Sequence, residues 1–170
     1  GEGADVSDRA IAIIGMAFRF PGADRPGQFW RDIRAGVTHV RRFTEAELAA
    51  AGIPAEEYRS PDFAGASGLL DGIDQFDAEF FGMSKREAAL TDPQHRLLLE
   101  CSYHALENAG YPTQSGGNRT AVYASMGYGT YAMHTYLTNN LDPSEWAGDW
   151  SATQQVQLGT RPDFTATRVA

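Results

Sequence analysis

Ile11-Ala-Ile-Ile-Gly-Met16 is the stretch that decides the class of fold. It is a continuous apolar run rich in β-branched residues, closed by Arg19-Phe20-Pro21-Gly22, and such a run reads as a strand buried on both faces. A second run of the same kind, Thr120-Ala-Val-Tyr-Ala-Ser-Met126, follows a Ser-Gly-Gly-Asn turn and ends ahead of Gly127 and Gly129. Strands that are apolar throughout imply a parallel sheet covered on both faces, hence an α/β architecture. Two of them do not make a stable sheet by themselves. The last residues, Thr165 to Ala170, also carry no helix stop. The pattern is that of the front part of a larger α/β domain: an incomplete sheet with covering helices.

The segments between the strands supply that cover. Pro26 to Ala35 predicts a short helix with proline in its first turn, Phe29, Trp30 and Ile33 on one face, and Gly36 as its stop. Thr44 and Glu47 have capping-box spacing for a helix to Ala51, and Ser84 and Glu87 repeat that spacing for one to about Leu90. Residues 54–73, rich in Gly, Pro, Asp and Ser, predict an ordered loop. Phe76, Phe80 and Phe81 are spaced to stack on a helical face and be buried. Thr91-Asp92-Pro93 opens the clearest helix, with Leu97, Leu98, Cys101, Ala105 and Ala109 on one stripe and Gly110 and Pro112 ending it. Tyr131 to Leu141 is ambiguous, Asp142 to Gly148 is loop-like, and Asp163 to Ala170 reads as the start of a helix.

Composition narrows the function. The 170 residues are 42% hydrophobic, 11% aromatic and 21% charged, which fits a folded chain rather than a disordered one. Fourteen Lys and Arg against 22 Asp and Glu leave a net charge of −8, which disfavours nucleic acid and anionic membrane surfaces as partners. One cysteine permits no internal disulfide, so a cytoplasmic protein is the simplest expectation. The longest apolar run, Ala10 to Phe18, is far below the ~20 residues of a membrane span. Residues 1–9 are acidic and polar, read as a linker leader, and residues 10–170 as the domain portion. The first residue is Gly, which suggests excision from a longer chain or processing.

No complete catalytic constellation emerges from residue types. Ser125 follows a strand and precedes Gly127, but a hydrolase elbow needs a small residue where Tyr123 stands. Cys101 lies inside an apolar stripe, where a thiol serves as a small core residue. His39, His95, His104 and His134 form no pair with zinc-site spacing; Glu100 and His104 do, but two ligands do not make a site. The acidic group Asp71, Asp74, Asp77 and Glu79 reads as a solvated face. Gly127-Tyr128-Gly129 lacks the third glycine and the lysine of nucleotide loops.

The ordered blocks are nevertheless specific. IAIIGMAFRFPGA (Ile11–Ala23), Phe29-Trp30, FDAEFFGMSKREA (Phe76–Ala88), TDPQHRLLLE (Thr91–Glu100), HALENAGY (His104–Tyr111) and RTAVYASMG (Arg119–Gly127) together resemble the β-ketoacyl synthase domain of modular type I polyketide synthases. DFTATRVA (Asp163–Ala170) is similar to the segment that precedes the strand carrying that family's nucleophilic cysteine. Two departures stand out: Phe18 where the family commonly has Cys, and His95 where it commonly has Gln. Residues 60–70 are shorter and less aromatic than the family pattern, and 131–161 are only loosely similar.

The resemblance implies a thiolase-like fold and an acyltransferase that elongates carrier-bound acyl chains by decarboxylative Claisen condensation. It implies acyl carrier protein as partner, substrates carried on its phosphopantetheine, no cofactor or metal bound directly, and a homodimer in the intact enzyme. It also implies that the catalytic cysteine and both catalytic histidines lie outside this chain, so the fragment alone is expected to be inactive and to need the remainder of the ketosynthase domain. Tyr128, Thr130 and Tyr131, just past the second strand, are the candidates for the acyl channel, because α/β sites gather at strand C-terminal ends. A non-catalytic assembly fragment is the alternative, and a serine hydrolase at Ser125 a remote one.

Overall fold

Helix dominates the residues described by the computed structural model, which are 10–111, 120–127, 142, 144 and 148–170. They divide into one unit of residues 18–75 and another of residues 10–17 with those from 76 onward.

In the first unit, α1 (Pro26–Ala35) starts on proline and stops at Gly36, whose φ of 66° is the left-handed conformation that glycine adopts without strain. Phe29 closes a three-ring cluster, with centroids 5.3 Å from Phe18 and 4.8 Å from Phe20. Phe18 is therefore a packing residue. The cluster is wide enough to cover Phe29 only: Trp30 and Ile33, expected beside it, are exposed. Strand β1 (Val40–Arg42) leads into α2 (Glu45–Ala50), whose capping box forms as predicted. Glu47 N–H donates to Thr44 Oγ1 at 3.2 Å, while the Glu47 carboxylate accepts from Thr44 N–H and from the Arg41 guanidinium, each at 2.8 Å. Leu48 is buried beneath it.

Residues 54–73 are not simply a loop. They contain α3 (Ala55–Tyr58) and β2 (Ala66–Gly68), and β2 pairs antiparallel with β1 in the register Val40↔Gly68, Arg41↔Ser67, Arg42↔Ala66. Strands of three residues carry no readable period, and their pairing spans a long stretch of chain, so local pattern gave no sign of it.

The second unit holds α4 (Lys85–Leu90), α5 (Pro93–Asn108), α6 (Trp150–Thr160), a 3-10 turn at Pro162–Phe164, and α7 (Thr165–Val169). Ser84 and Asp92 cap α4 and α5 through Glu87 N–H and Gln94 N–H, as their sequence positions predicted. The aromatic trio is arranged differently from the expectation. Residues 78–82 form turns, Phe76 and Phe81 stack at 5.1 Å, and Phe80 lies edge-on to Phe81 and Tyr103 while remaining 57% exposed. Asp77, read as part of an acidic face, caps this turn by accepting from Phe80 N–H at 3.0 Å.

The two decisive apolar runs are the main difference. Among the described residues, neither Ile11–Met16 nor Thr120–Met126 joins a ladder; the one sheet is β1–β2. Ile11 is 94% and Ile13 83% exposed. A strand is defined by a hydrogen-bonded neighbour, and the described residues supply none. The local packing is still specific. A Cβ on Gly15 would collide with the Ala105 carbonyl oxygen and lie 2.8 Å from Ala109 Cβ, so the run crosses α5 backbone to backbone. Met16 N–H donates to Asn108 Oδ1 at 3.0 Å there. In residues 121–127 burial alternates with period two: Val122, Ala124 and Met126 are partly covered, while Tyr123 and Ser125 are exposed. No helix among the described residues is long and apolar enough to cross a membrane.

Candidate functional site

The best-organised chemistry in the chain lies where α4 meets α5, in the block Thr91-Asp92-Pro93-Gln94-His95-Arg96. Thr91, Asp92, His95 and Arg96 are all buried, and His95 is only 1% exposed. The apolar stripe of the same helix, from Leu97 to Ala109, is only partly covered. Burial of polar side chains is costly without partners, so each one here calls for a specific account.

Thr91 Oγ1 donates to the Glu87 carbonyl at 2.8 Å, tying the last turn of α4 to the start of α5. Asp92 works in two directions. Its carboxylate accepts from Gln94 N–H at 2.7 Å, and its own backbone N–H donates to the Gly159 carbonyl of α6 at 2.8 Å. Thr160 and Thr165 complete the buried polar set from the C-terminal side, Thr160 Oγ1 donating to the Val156 carbonyl at 2.7 Å.

His95 and its neighbours are less completely satisfied. Neither ring nitrogen of His95 makes a hydrogen bond of good geometry, although the Arg161 backbone approaches the ring, and the Nε atoms of Arg96 and Arg168 are likewise buried without one. Burial first, and the Arg168 guanidinium second, push the His95 imidazole below the usual histidine range; Asp92 and the Arg161 backbone pull the other way without overcoming them. Burial thus favours the neutral form of the ring. Arg168 reaches from α7 toward this cluster and also approaches Glu87 of α4 at 3.6 Å.

The block also holds the end of the 120–127 segment. Gln94 Nε2 donates to the Gly127 carbonyl at 3.4 Å, and Thr165 Oγ1 approaches Met126 Sδ at 3.5 Å. Beside the block, a cleft of about 560 Å³ is lined by Phe80, Phe81, Met83, Leu99, Tyr103 and Arg168. Another, of about 600 Å³, lies along Ile14, Gly15, Ala105, Ala109, Thr120 and Ala121.

The channel candidates Tyr128, Thr130 and Tyr131, and also His134, lie outside the described residues. Among those described, no hydrogen bond joins Ser125 to a histidine or a carboxylate, and Tyr123 is 95% exposed. Cys101 is half-buried on its stripe. His104 pairs with Glu107 at 3.2 Å, and His39 with Asp32 at 3.0 Å. No group of three or more His, Cys, Asp and Glu able to hold a metal occurs among the described residues. The buried polar block itself was read from sequence only as a helix start.

Comparison with known proteins gives the geometry its context. The family described as "Beta-ketoacyl synthase, N-terminal domain" matches residues 8–170. A component of the phenolphthiocerol/phthiocerol polyketide synthase of Mycobacterium tuberculosis is 37% identical over 167 residues, covering 97% of this chain and 11% of that protein. Polyketide synthase PksN of Bacillus subtilis is 40% identical over 124 residues, covering 73% of this chain and 2% of that protein. Among solved structures, the oxazolomycin ketosynthase domain OzmH KS7 of Streptomyces albus matches with a TM-score of 0.66 at 31% identity, over 92% of this chain and 26% of that one. Ketosynthase twelve of the bacillaene polyketide synthase of Bacillus amyloliquefaciens matches with a TM-score of 0.54 at 43% identity, over 60% and 18% respectively. The chain therefore spans about a tenth or less of these curated relatives, and about a quarter or less of the solved domains.

Proposed function

We infer the function from one premise: the chain belongs to the β-ketoacyl synthase family, matching the N-terminal domain of that family over residues 8–170. Its fold is the N-terminal part of the thiolase-like ketosynthase fold. The function proposed is to supply this part of a polyketide synthase ketosynthase that elongates acyl chains held on acyl carrier protein. The observation that carries the reading is the match to a solved ketosynthase over 92% of this chain but only 26% of that one. The apolar runs Ile11–Met16 and Thr120–Met126 agree with it, since they have the composition of buried strands and lack a strand partner among the described residues.

In the proposed reaction a cysteine thiolate first takes the acyl group from a carrier thioester, forming one C–S bond as another breaks. A malonyl-type extender on a second carrier then loses CO2, and its nucleophilic carbon attacks the enzyme thioester. A C–C bond forms, the thiolate leaves, and a β-ketoacyl thioester remains on the carrier. Two histidines assist decarboxylation and stabilise the developing charge. The cysteine and both histidines belong, in this reading, to the part of the domain outside this chain. No cofactor is called for beyond the phosphopantetheine that carries the substrates, and the intact enzyme is a cytoplasmic homodimer. The contribution of this chain is positional. Tyr128, Thr130 and Tyr131 line the acyl channel, a role supported by the ties from Gln94 to Gly127 and from Thr165 to Met126 just ahead of them.

The test is condensation by a full-length ketosynthase domain carrying this chain as its N-terminal part, on acyl and malonyl thioesters of carrier protein. Mass spectrometry of the carrier should show the β-ketoacyl product with the intact domain and none with the 170-residue chain alone. Turnover by the short chain, shown by intact mass to be free of longer forms, would overturn the division of labour. Failure of the intact domain with a range of acyl carriers would favour the non-catalytic assembly role.

A further inference from the structure

At position 95 stands an imidazole 1% exposed whose ring nitrogens have no hydrogen-bond partner of good geometry, with the Arg161 backbone and the Arg168 guanidinium acting on it from outside its own helix. Histidine can gain a charge near neutral pH. We propose that His95 makes the seat of α7 on α5 sensitive to protons, neutral imidazole permitting the packing and imidazolium driving α7 away.

The charges around the ring decide the sign. On α5 itself stands Asp92, which favours a protonated ring; Arg96, the next residue in sequence after His95, is also buried. From α7 comes Arg168, whose side chain is 17% exposed and whose Nε is buried without a partner. From the connection between α6 and α7 comes the Arg161 backbone, which favours a protonated ring, while the Arg161 and Asp163 side chains pair with each other at 2.7 Å. From α4, Glu87 lies 3.6 Å from Arg168 and offsets part of its charge. The Asp92 carboxylate is already engaged by Gln94 N–H. A proton on His95 would thus enter a buried site facing Arg168 with one committed carboxylate, and the repulsion acts on the five-residue α7, which Arg168 also ties to the Leu158 carbonyl of α6 at 3.2 Å.

The consequence reaches the candidate channel. α7 carries Thr165, which holds Met126, so loosening α7 releases one of the two ties at the end of the 120–127 segment. The device is independent of whether the domain condenses acyl chains, because it is read in stability rather than in turnover.

A group whose folded pKa is depressed below its unfolded value of 6.5 leaves stability untouched above that value. It lowers stability as pH falls below, since the unfolded chain then binds more protons. From pH 7.5 to 5.5 the folded-to-unfolded ratio should fall by up to about tenfold on account of His95 alone. The experiment compares urea unfolding of the intact domain with that of His95→Gln at both pH values. Loss of that extra pH dependence in His95→Gln, with faster hydrogen exchange of wild-type residues 161–169 at pH 5.5 after correction for intrinsic rates, is the expected result. The same pH dependence in both proteins would overturn the proposal. Should His95→Gln fail to fold, imidazole carbon NMR of the wild-type domain decides. A ring that titrates below the ordinary histidine range, and moves upward in Arg168→Gln, supports the proposal; an ordinary titration refutes it.

Discussion

Gly159→Ala tests the packing that holds the candidate site together. Gly159 is a buried helical residue of α6, and its carbonyl receives the Asp92 N–H at 2.8 Å. A Cβ placed there would lie 2.6 Å from the Leu90 carbonyl oxygen and 3.0 Å from Thr91 Cα, both backbone atoms with no side-chain freedom to yield. α6 must therefore move off the α4–α5 junction by several tenths of an ångström or more. Alanine favours helix over glycine by about 1 kcal/mol in a helix interior, and less at this penultimate position. Against that stand overpacking, about 1–3 kcal/mol, and the weakened Asp92–Gly159 hydrogen bond, about 1 kcal/mol. The balance is a loss of about 1–3 kcal/mol. Urea unfolding of the intact domain followed by far-UV circular dichroism measures it, with Gly27→Ala as control, since nothing lies within 4 Å of a Cβ there. The control should be neutral or slightly stabilising. If Gly159→Ala were as stable as wild type, the close approach of α6 to Leu90 and Thr91 would be refuted, and with it the account of how the polar block is closed.

Smaller perturbations probe the other supports. Ser84→Ala removes the side-chain cap of α4 and should cost about 1 kcal/mol in the same unfolding assay, with Ser84→Asp recovering most of it. Thr91→Val keeps the shape but loses the donor to the Glu87 carbonyl, and should cost about 1 kcal/mol. The Glu47 carboxyl is held below the usual glutamate range, chiefly by the Thr44 N–H and then by Arg41. Its contribution to stability is present above that range and is lost as pH falls through its lowered value, so carboxyl carbon NMR should find Glu47 titrating below the usual glutamate range and moving upward in Arg41→Gln. Ser125 should not be labelled by a fluorophosphonate probe; labelling abolished in Ser125→Ala would revive the hydrolase reading.

Legibility from sequence followed the range of the forces involved. The helix starts at Thr44, Ser84 and Asp92 were readable because a cap is settled within four residues, and all three side chains accept the backbone N–H that their spacing predicts. The pairing of Val40–Arg42 with Ala66–Gly68 was not, because register between distant three-residue strands depends on what lies between them. α6 also escaped notice, since Trp150 to Thr160 mixes Gln, Thr and small residues without a clear stripe; its buried Ala152, Val156, Gly159 and Thr160 make a face of small residues suited to close backbone contact. For the site, the order of the family blocks was legible and residue chemistry was not. Nothing in the letters Thr91-Asp92-Pro93-Gln94-His95-Arg96 says that the histidine points inward and the apolar residues after it are only half covered.

That inversion bears on how the domain is put together. An isolated helix packed for its own stability would bury Leu97, Leu98, Cys101, Ala105 and Ala109 and leave His95 and Arg96 in water, because apolar burial favours folding at roughly 25 cal/mol per Å² while buried polar groups cost free energy. α5 does the reverse at its N-terminal end, and it can do so because α6 and α7 cover that end through the Asp92–Gly159 backbone bond and the Arg168 side chain. The half-covered stripe, the exposed Ile11 and Ile13 crossing above it and the exposed Tyr123 then constitute one apolar deficit in this unit, of the kind a neighbouring sheet would remove. If the proposed ketosynthase reading is right, the remainder of the domain should protect those residues. Hydrogen exchange and solvent labelling of the intact domain should then show Ile11–Met16 and Thr120–Met126 among its slowest segments, whereas rapid exchange at both would mean that their strand-like composition serves some other contact.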